Sequence, residues 1–440
     1  PRRRNAATGG EGRRNGQFDS LRALTERHQI GAASGVPYPL ARLPTPSEQA
    51  CVRLESDEIA RGPWVYARQV VPKEGLEDGS LVAVEDASGR FVGHALYNSG
   101  SDIRLRWLSR GRKNALDRPS EFLGGRLKSA DELRRRTLRL EEVTNAYRVA
   151  HAEGDDLPGL VVDRLGDVLV CEYHALGFLR LRGEIEQALA RLYPGATIVH
   201  RVPEGAQRSE KISAAELPSE PEEREPNWIE EHGLAYPVQP AGGHKTGWFC
   251  DQRDNRVRIG ALARGRSVLD LFCNTGGFAL QAARQGARVV RAVDLDEKAL
   301  ARARLAAERN HLPIECVHAD AFDVLRAVAR DKESDRPELV VCDPHKLIPT
   351  RAQFEAGRRK YLDLFALALG ATRPGGLCAA FSCSGALELE GFLGLLFMAA
   401  RRAEKGVRLL AILEAGPDHP QRPDWPRSRY LKGAVLALDR

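Results

Sequence analysis

The chain has 440 residues, of which 42% are hydrophobic and 29% charged, and its formal net charge is +6. This length is more than one hydrophobic core holds, so we expect two or three domains. No apolar run reaches the roughly 18 residues of a membrane helix, and the eight cysteines include no C-x-x-C pair. The sequence therefore gives no indication of membrane insertion, of a metal site or of a disulfide framework, and we expect a cytoplasmic protein.

The chain begins with an arginine-rich tail. Residues 1–16 hold five arginines against one glutamate, so most of the positive excess lies here. A segment rich in Gly, Asn and Arg cannot bury a core, and we predict that residues 1–45 form a disordered basic tail. Its charge makes it a candidate contact for nucleic acid or the ribosome.

Residues 50–118 show short alternating strands separated by turn signals at Gly62-Pro63 and Asp86-Ala-Ser-Gly89. This pattern predicts a small β domain. The stretch from Arg104 to Arg139 then carries twelve Lys and Arg residues against four Asp and Glu. Such an excess fits either a surface that binds phosphates or the solvated face of a helix, and the sequence leaves both interpretations open.

Residues 119–235 form a predicted middle α+β domain. It begins helically, continues as a hairpin from Tyr147 to Tyr173 with Asp163-Arg-Leu-Gly-Asp167 as its turn, and adds an amphipathic helix near Leu179 to Leu192. The acidic, proline-containing stretch from Glu216 to Glu231 is predicted to be a loop.

Residues 236–440 alternate between apolar strand patterns and helical patterns, with about seven strands. The predicted fold class is therefore α/β, with a Rossmann-like seven-stranded domain at the C-terminus preceded by the small β domain and the middle α+β segment. The strand from Ser267 to Phe272 leads into a turn of small residues, and a helix starts at Gly276-Gly277. The G-x-G-x-x-G turn of a dinucleotide fold is absent, which disfavours an NAD-dependent oxidoreductase.

The turn that follows this strand shows a regular spacing of residues. Asp270, Phe272, Asn274 and Gly276 occupy alternate positions, which resembles the D-x-F-x-G-x-G loop of Rossmann-like methyltransferases, with Asn274 in place of a glycine. Asn tolerates a positive φ, so this replacement is mild. We predict that the loop binds S-adenosylmethionine through residues that are, in chain order, Asp270, Phe272, Asn274, Thr275, Gly276 and Gly277.

Three further acids each follow a predicted strand: Asp294, Asp320 and Asp343. Parallel sheets bind ligands at the carboxyl ends of their strands, so we predict that these acids share the cofactor site, with Asp294 accepting hydrogen bonds from ribose hydroxyls. The alternative for any one of them is a helix N-cap.

Several separate motifs then resemble one family, the PUA-domain-containing S-adenosylmethionine-dependent methyltransferases that make 5-methylcytosine in large-subunit rRNA. The motifs are Gly62-Pro-Trp-Val65, Gly154-Asp-Asp-Leu-Pro-Gly159 with Val162-Asp-Arg164, Glu230-Glu-His-Gly233, Lys245-Thr-Gly247 with Asp251-Gln-Arg-Asp254, Thr275-Gly-Gly-Phe278, Phe381-Ser-Cys-Ser-Gly385 and Arg427-Ser-Arg-Tyr-Leu-Lys-Gly433. The resemblance implies an RNA-binding PUA domain at 50–118 and a catalytic domain at 236–440. It also implies large-subunit rRNA as the partner, free or in a pre-ribosomal particle, with a homodimer as a further hypothesis and no membrane contact.

The same resemblance implies that Cys383, at the end of the strand from Leu377 to Ser382, is the nucleophile. A thiolate that adds to C6 of cytosine activates C5 for methylation, and basic neighbours would lower the pKa of such a thiol. The alternative is an inert buried cysteine. We assign RNA contacts to five basic residues: Arg104, Arg106, Lys346, Arg427 and Arg429.

The fourth motif departs from the family. Relatives read Asp-Pro-Pro-Lys-Phe, whereas this chain reads Asp343-Pro-His-Lys-Leu347. We predict that Asp343 binds the N3/N4 edge of cytosine and that His345 stacks on the base or accepts the C5 proton. The departure also leaves open an RNA N-methyltransferase and a non-catalytic RNA-binding paralogue.

The segment from Lys245 to Arg253 precedes the first sheet strand, where the family places cofactor contacts. We predict that Gln252 and Arg253 cover the methionine end of the cofactor, whose carboxylate suits an arginine. The alternative for Arg253 is a salt bridge that locks the domain.

Overall fold

The computed structural model describes residues 50–59, 61–111, 116, 118–219, 226–240 and 247–440. The predicted basic tail at 1–45 and the residues from Gly242 to Thr246, which include Lys245, lie outside the described residues.

The first domain is a five-stranded sheet. Its strands, in chain order, are β1 (Cys51–Arg53), β2 (Trp64–Tyr66), β3 (Leu81–Glu85), β4 (Phe91–Tyr97) and β5 (Ile103–Arg110). They lie in the order β1-β3-β4-β5-β2, with β1 parallel to β3 and the other pairs antiparallel. Apolar side chains such as Val52, Val82 and Trp107 fill one contiguous core, so the predicted small β domain is confirmed.

The middle segment holds a four-stranded sheet with helices packed on it. Its elements are α1 (Pro119–Glu132), β6 (Ala146–His151), β7 (Leu160–Leu165), β8 (Val168–Tyr173), α2 (Leu176–Arg180), α3 (Arg182–Leu192), β9 (Thr197–Arg201) and α4 (Glu204–Glu210). The sheet order is β6-β7-β8-β9, antiparallel except for the pair β8 and β9.

Two predictions for this segment need correction. The turn from Asp163 to Asp167 is shorter than expected, because Asp163 lies in β7 and pairs across the ladder with Arg148, Nε to Oδ1 2.5 Å. The predicted acidic loop ends in a strand, β10 (Asn227–Glu231), because Ile229 and Glu231 are buried and β10 pairs with β11 (Leu234–Val238). The predicted domain boundary at 235/236 therefore falls inside β11.

The C-terminal sheet has the seven predicted strands. The elements after β11 are α5 (Arg253–Ala261), β12 (Ser267–Leu271), α6 (Gly277–Arg284), β13 (Val289–Asp294), α7 (Glu297–Asn310), β14 (Glu315–His318), α8 (Ala321–Val328), β15 (Leu339–Cys342), α9 (Phe354–Ala371), β16 (Leu377–Ser382), α10 (Leu389–Arg402), β17 (Val407–Leu413) and β18 (Lys432–Leu438). Their order is β14-β13-β12-β15-β16-β18-β17; β18 runs antiparallel to both of its neighbours, β16 and β17, and the other neighbouring pairs are parallel. The predicted fold class is confirmed.

The strand order positions the site. The chain continues from β12 to β13 on one side, and β15 then pairs with the other side of β12. Such a reversal opens a crevice at the carboxyl edge of a parallel sheet. The segments that follow β12, β13, β15 and β16 meet at this edge.

Within the described residues, no helix combines the length and apolar character needed to cross a membrane. The same part of the chain contains no group of three or more His, Cys, Asp or Glu residues arranged to hold a metal ion.

Candidate active site

A cavity of about 470 Å³ opens at the carboxyl edge of the C-terminal sheet, a size typical of small-molecule sites. Ten residues predicted from the sequence line it: Gln252, Phe272, Asn274, Thr275, Gly277, Asp294, Asp343, His345, Lys346 and Cys383. Five further lining residues lie in motifs that the sequence singles out: Asp251, Phe278, Pro344, Tyr430 and Leu431. The other five were not predicted: Trp248, Phe249, Arg256, Cys273 and Asp296.

The turn after β12 has an unusual backbone. Phe272, Asn274 and Gly276 have φ values of 59°, 49° and 78°. This left-handed region is the one that we expected Asn274 to tolerate. Gly276 itself lies outside the cavity lining, where a side chain would be strained by the positive φ and would approach Ala303 at 3.3 Å.

Asp294 fixes this turn to the end of β13. Its Oδ2 accepts a hydrogen bond from the backbone N–H of Asn274 over 2.8 Å, and its Oδ1 accepts one from the N–H of Asp296 over 2.9 Å. A carboxylate has about four acceptor sites, so capacity remains for donors inside the cavity. The position suits the hydroxyl groups of a nucleoside ribose.

Asp270 has a different role from the one predicted. It is buried behind the turn, and its Oδ2 accepts a hydrogen bond from the N–H of Ala279 in the first turn of α6 over 2.9 Å. Burial raises the pKa of this carboxyl well above its ordinary value, and Asp343 and Asp294 raise it further, while the hydrogen bond opposes the change. Asp270 therefore holds the loop and does not line the cavity.

Two further predicted cofactor contacts are corrected by the structure. The Asp320 carboxylate accepts the N–H of Phe322 over 2.8 Å, so it is the N-cap of α8 and lies outside the cavity lining. The Arg253 side chain is 1% exposed, and both of its Nη atoms donate to Asp418. The alternative interpretation of the sequence, a salt bridge that locks the domain, therefore describes Arg253.

The second half of the cavity brings Asp343 and Cys383 together. Asp343 directly follows β15, and Cys383 directly follows β16, which is the next strand in the sheet. Gln252 Nε2 donates to Asp343 Oδ2 over 2.9 Å. The His345 ring is exposed at the cavity and meets Phe272 edge-on, with ring centroids 6.3 Å apart.

Lys432 is a feature of the site that we did not predict. Its side chain is buried at the start of β18, and Nζ donates to the carbonyl oxygens of Ser384 over 2.9 Å and Tyr430 over 2.8 Å. Burial lowers the pKa of this lysine to about 8, with Cys383 acting in the opposite direction. The signal in the sequence was its place in the motif that ends at Gly433.

The basic residues assigned to RNA have different environments. Arg106 is buried and forms a salt bridge of 2.8 Å with Glu210, which corrects its assignment as an RNA contact. Arg104 is partly buried and donates to the carbonyl of Asn98 over 3.1 Å. Arg427 and Arg429 are exposed, and Arg427 donates to the Tyr66 hydroxyl of the first domain over 2.7 Å.

Several arginines of the positive stretch from Arg104 to Arg139 form ion pairs, some of them buried and some at the surface. Besides Arg106, ion pairs with acids are formed by Arg118, Arg126, Arg134, Arg135, Arg136 and Arg139. The most buried is Arg134, which has no exposed surface and pairs with Asp155 over 2.6 Å. Arg106 and Arg134 therefore have structural roles, whereas Arg118, Arg136 and Arg139 lie at the surface.

Comparisons with known proteins agree with this architecture. A PUA-like domain family matches residues 55–110, and a methyltransferase domain family matches residues 268–355. The solved structure of a protein from Streptococcus mutans, described as a SAM-dependent methyltransferase, has a TM-score of 0.73 and 22% identity, covering 88% of this chain and 99% of that one. A structure with the same values is a methyltransferase complexed with SAH. At this identity both show a shared fold.

Relatives in sequence are more similar. Ribosomal RNA large subunit methyltransferase I of Aeromonas hydrophila is 34% identical over 87% of this chain and 96% of its own length. The protein of the same name from Erwinia tasmaniensis is 33% identical over 86% and 96%. S-adenosylmethionine is the cofactor of these methyltransferases, and the Asp294 carboxylate and the turn after β12 are the features of this cavity that suit a nucleoside. The chain belongs to the family of S-adenosylmethionine-dependent methyltransferases that includes these large subunit methyltransferase I proteins.

Proposed function

We propose that this protein methylates C5 of a cytosine in large-subunit rRNA, with Cys383 as the nucleophile. The observation that carries the proposal is that Cys383 and Asp343 share one cavity with Asp294 and the turn after β12. The names of the relatives support rRNA as the substrate class. The resemblance of the Phe381-Ser-Cys-Ser-Gly385 motif supports C5 as the atom modified.

In the proposed mechanism the Cys383 thiolate forms a bond to C6 of the cytosine, which makes C5 nucleophilic. When bound, S-adenosylmethionine would supply the methyl group from its positively charged sulfur, and the neutral thioether SAH would be the leaving group. The carboxyl group of Asp343, oriented by Gln252, hydrogen bonds to the N3/N4 edge and stabilises the adduct. His345 then accepts the proton that leaves C5, and breakage of the bond between Cys383 and C6 releases the product.

The single test is a nucleoside digest of large-subunit rRNA from strains with and without the protein. We expect loss of 5-methylcytosine at one position in the deletion strain, restored by the wild-type gene and not by Cys383→Ala. The half-buried Cys51, which lies in β1, gives a matched control, and Cys51→Ala should restore the modification. Loss of an N-methylated nucleoside instead would support the N-methyltransferase hypothesis and would contradict ours.

A non-catalytic paralogue is favoured by the departure of the fourth motif from the family pattern, in which His345 replaces the second proline and Leu347 replaces the phenylalanine. The structure leaves His345 exposed at the cavity with the other candidate residues. An unchanged digest, together with the absence of S-adenosylmethionine binding in calorimetry, would support that paralogue.

A further inference from the structure

Lys432 places a buried positive charge at the strand end that carries Cys383. Its residue is 2% exposed, and in the ladder of β18 with β16 it lies opposite Ser382, the residue before Cys383. Nζ donates to the carbonyl oxygen of Ser384, the residue after Cys383, over 2.9 Å. The lysine therefore hydrogen bonds to the residue that follows Cys383, and it pairs in the strand ladder with the residue that precedes Cys383.

The electrostatic surroundings of this ammonium group are unusual. Its two hydrogen-bond acceptors are the neutral carbonyls of Ser384 and Tyr430. A buried charge without an opposite charge is unfavourable, and the group whose charge favours the ammonium most is the Cys383 thiol, ahead of Glu388. Lys346 opposes it from the cavity lining. A thiolate at Cys383 would therefore be the main counter-charge of the buried lysine.

The backbone around Cys383 is held from other directions as well. Ser384 Oγ accepts the N–H of Ile348 over 3.2 Å and shares a hydrogen bond with the Tyr361 hydroxyl over 2.9 Å. Ile348 follows the Asp343-Pro-His-Lys-Leu347 loop, so one serine joins the two loops that carry the proposed catalytic residues. Lys432 fixes the carbonyl of that same serine.

We propose that Lys432 is a positioning residue that holds the Cys383 strand end in place and stabilises Cys383 as a thiolate. The inference rests on the proposed function, in which that thiolate attacks C6. Below about pH 8, where Lys432 is charged, ionisation of Cys383 sends the thiol proton to solvent water and Lys432 keeps its three protons. The other titratable groups that line the cavity or interact with this pair are Asp251, Arg256, Cys273, Asp294, Asp296, Asp343, His345, Lys346, Tyr361, Glu388 and Tyr430.

The first test uses the wild-type protein without RNA. Iodoacetamide alkylation is followed by peptide mass spectrometry from about pH 6 to about pH 10, a range that brackets the ordinary thiol. Cys51 and Cys316 are internal references, since burial raises the pKa of both thiols. We expect Cys383 to react with a midpoint below about 8.5 and below both references. A midpoint equal to theirs or higher overturns the proposal.

The second test changes the lysine. Lys432→Met should move the Cys383 midpoint upward by about one pH unit or more, since an adjacent opposite charge shifts a pKa by this amount. Lys432→Arg retains the charge and should leave the midpoint closer to that of the wild type. Lys405→Met is the matched control, because Lys405 pairs with Glu333 at the surface and should leave the midpoint unchanged.

Binding of SAH, measured by calorimetry, reports whether each variant retains the cavity. An unchanged midpoint in a Lys432→Met protein that binds SAH overturns the proposal. If that variant does not fold, the wild-type titration decides. Since alkylation needs no RNA, a shifted thiol combined with an unchanged rRNA digest would reject the proposed function and leave the lysine–cysteine coupling standing.

Discussion

The side-chain amide of Gln252 donates to the Asp343 carboxylate over 2.9 Å, between residues 91 positions apart in the chain. Asn255 Nδ2 in turn donates to Gln252 Oε1 over 2.7 Å, which directs the NH₂ group of Gln252 toward Asp343. Gln252 is 2% exposed, so its amide has little freedom to turn away. This chain of hydrogen bonds fixes the orientation of a carboxylate that lines the cavity beside Cys383.

Gln252→Leu should therefore lower the rate of methyl transfer. A hydrogen bond to a charged group contributes about 1.5–3 kcal/mol, which corresponds to roughly a 10-fold to 100-fold loss in kcat/KM. The measurement is transfer of a tritiated methyl group from S-adenosylmethionine to a large-subunit rRNA transcript. Gln285→Leu, at the C-terminus of α6 and outside the cavity lining, is the matched control and should retain full activity. Full activity in Gln252→Leu would reject the role of this contact.

Asp294 and Asp320 give a paired prediction for cofactor affinity. Asp294→Asn should weaken SAH binding about 10-fold or more, because the variant loses the charge that receives charge-assisted hydrogen bonds. Asp320→Asn should bind SAH like the wild type, since Asp320 caps α8 and Asn is an equally good cap. Isothermal titration calorimetry measures both. An equal loss of SAH affinity in the two variants would show that Asp320 also contacts the cofactor.

The contrast between these acids shows which parts of the site can be predicted from the sequence. A strand end followed by an acid places Asp294, Asp320 and Asp343 at one sheet edge, and the structure confirms that placement for the strands. The backbone of each turn decides which acids face the cavity. Asp270 and Asp320 do not face it and instead accept hydrogen bonds from backbone N–H groups in the first turn of a helix. An apolar strand pattern contains no information on that choice.

Partners distant in sequence account for the rest. Arg253 was predicted from a local motif, but its partner Asp418 is 165 positions away. Lys432 hydrogen bonds to Ser384, which is 48 positions away in the chain. The antiparallel pairing of β18 with β16 brings the two residues together. A single sequence does not reveal such pairs, because the tertiary fold chooses the counter-charge of each buried cation.

Arg253→Met should lower the stability of the protein and leave its affinity for the cofactor unchanged. Removing one partner of a buried ion pair leaves the other charge buried and costs about 3–5 kcal/mol in the free energy of unfolding. Burial alone would raise the pKa of Asp418, but His419 and Arg253 hold it well below its ordinary value. Urea denaturation measures the change.

The control for this variant is Arg408→Met, because Arg408 forms an ion pair with Asp439 in which both side chains are exposed, by 76% and 49%. An exposed pair contributes about 1 kcal/mol at most. A folded Arg253→Met protein should bind SAH with wild-type affinity. Unchanged stability combined with weakened SAH binding would restore the original assignment of Arg253.

Asp270 predicts how the stability of the cofactor-free protein depends on pH. Because the pKa of Asp270 is raised in the folded state, chiefly by burial, that state binds the proton more tightly than the unfolded chain does. Its contribution to the free energy of unfolding therefore declines as pH rises above about 4, the value of an unfolded aspartate, until the raised pKa is passed. Asp270→Asn removes this group and should flatten the decline.

Urea denaturation at several pH values between about 5 and about 8 compares the two proteins over a range above the unfolded pKa. Asp363→Asn is a suitable control, since Asp363 is about half exposed and pairs with Arg402 on the surface. That variant should follow the wild-type slope. A slope for Asp270→Asn equal to that of the wild type would show that Asp270 is ionised in the fold.

Arg427 and Arg106 were assigned the same role from sequence, and the structure predicts opposite results for them. Arg427 is exposed, so Arg427→Ala should weaken binding to a large-subunit rRNA transcript and reduce the salt dependence of log K by about 0.7–1, the contribution of one phosphate contact. Arg106→Met should leave that slope unchanged. It should instead lower the free energy of unfolding, because the buried Glu210 carboxylate loses its ion-pair partner.

Tyr66→Phe separates the two ways in which Arg427 can act. The substitution removes the hydroxyl that accepts a hydrogen bond from Arg427 and keeps the cation in place. If Arg427 contacts RNA directly, Tyr66→Phe should retain the wild-type affinity and salt slope in filter-binding titrations. If Tyr66→Phe loses as much affinity as Arg427→Ala, then Arg427 acts by holding the loop before β18 against the first domain, and its charge is not a phosphate contact.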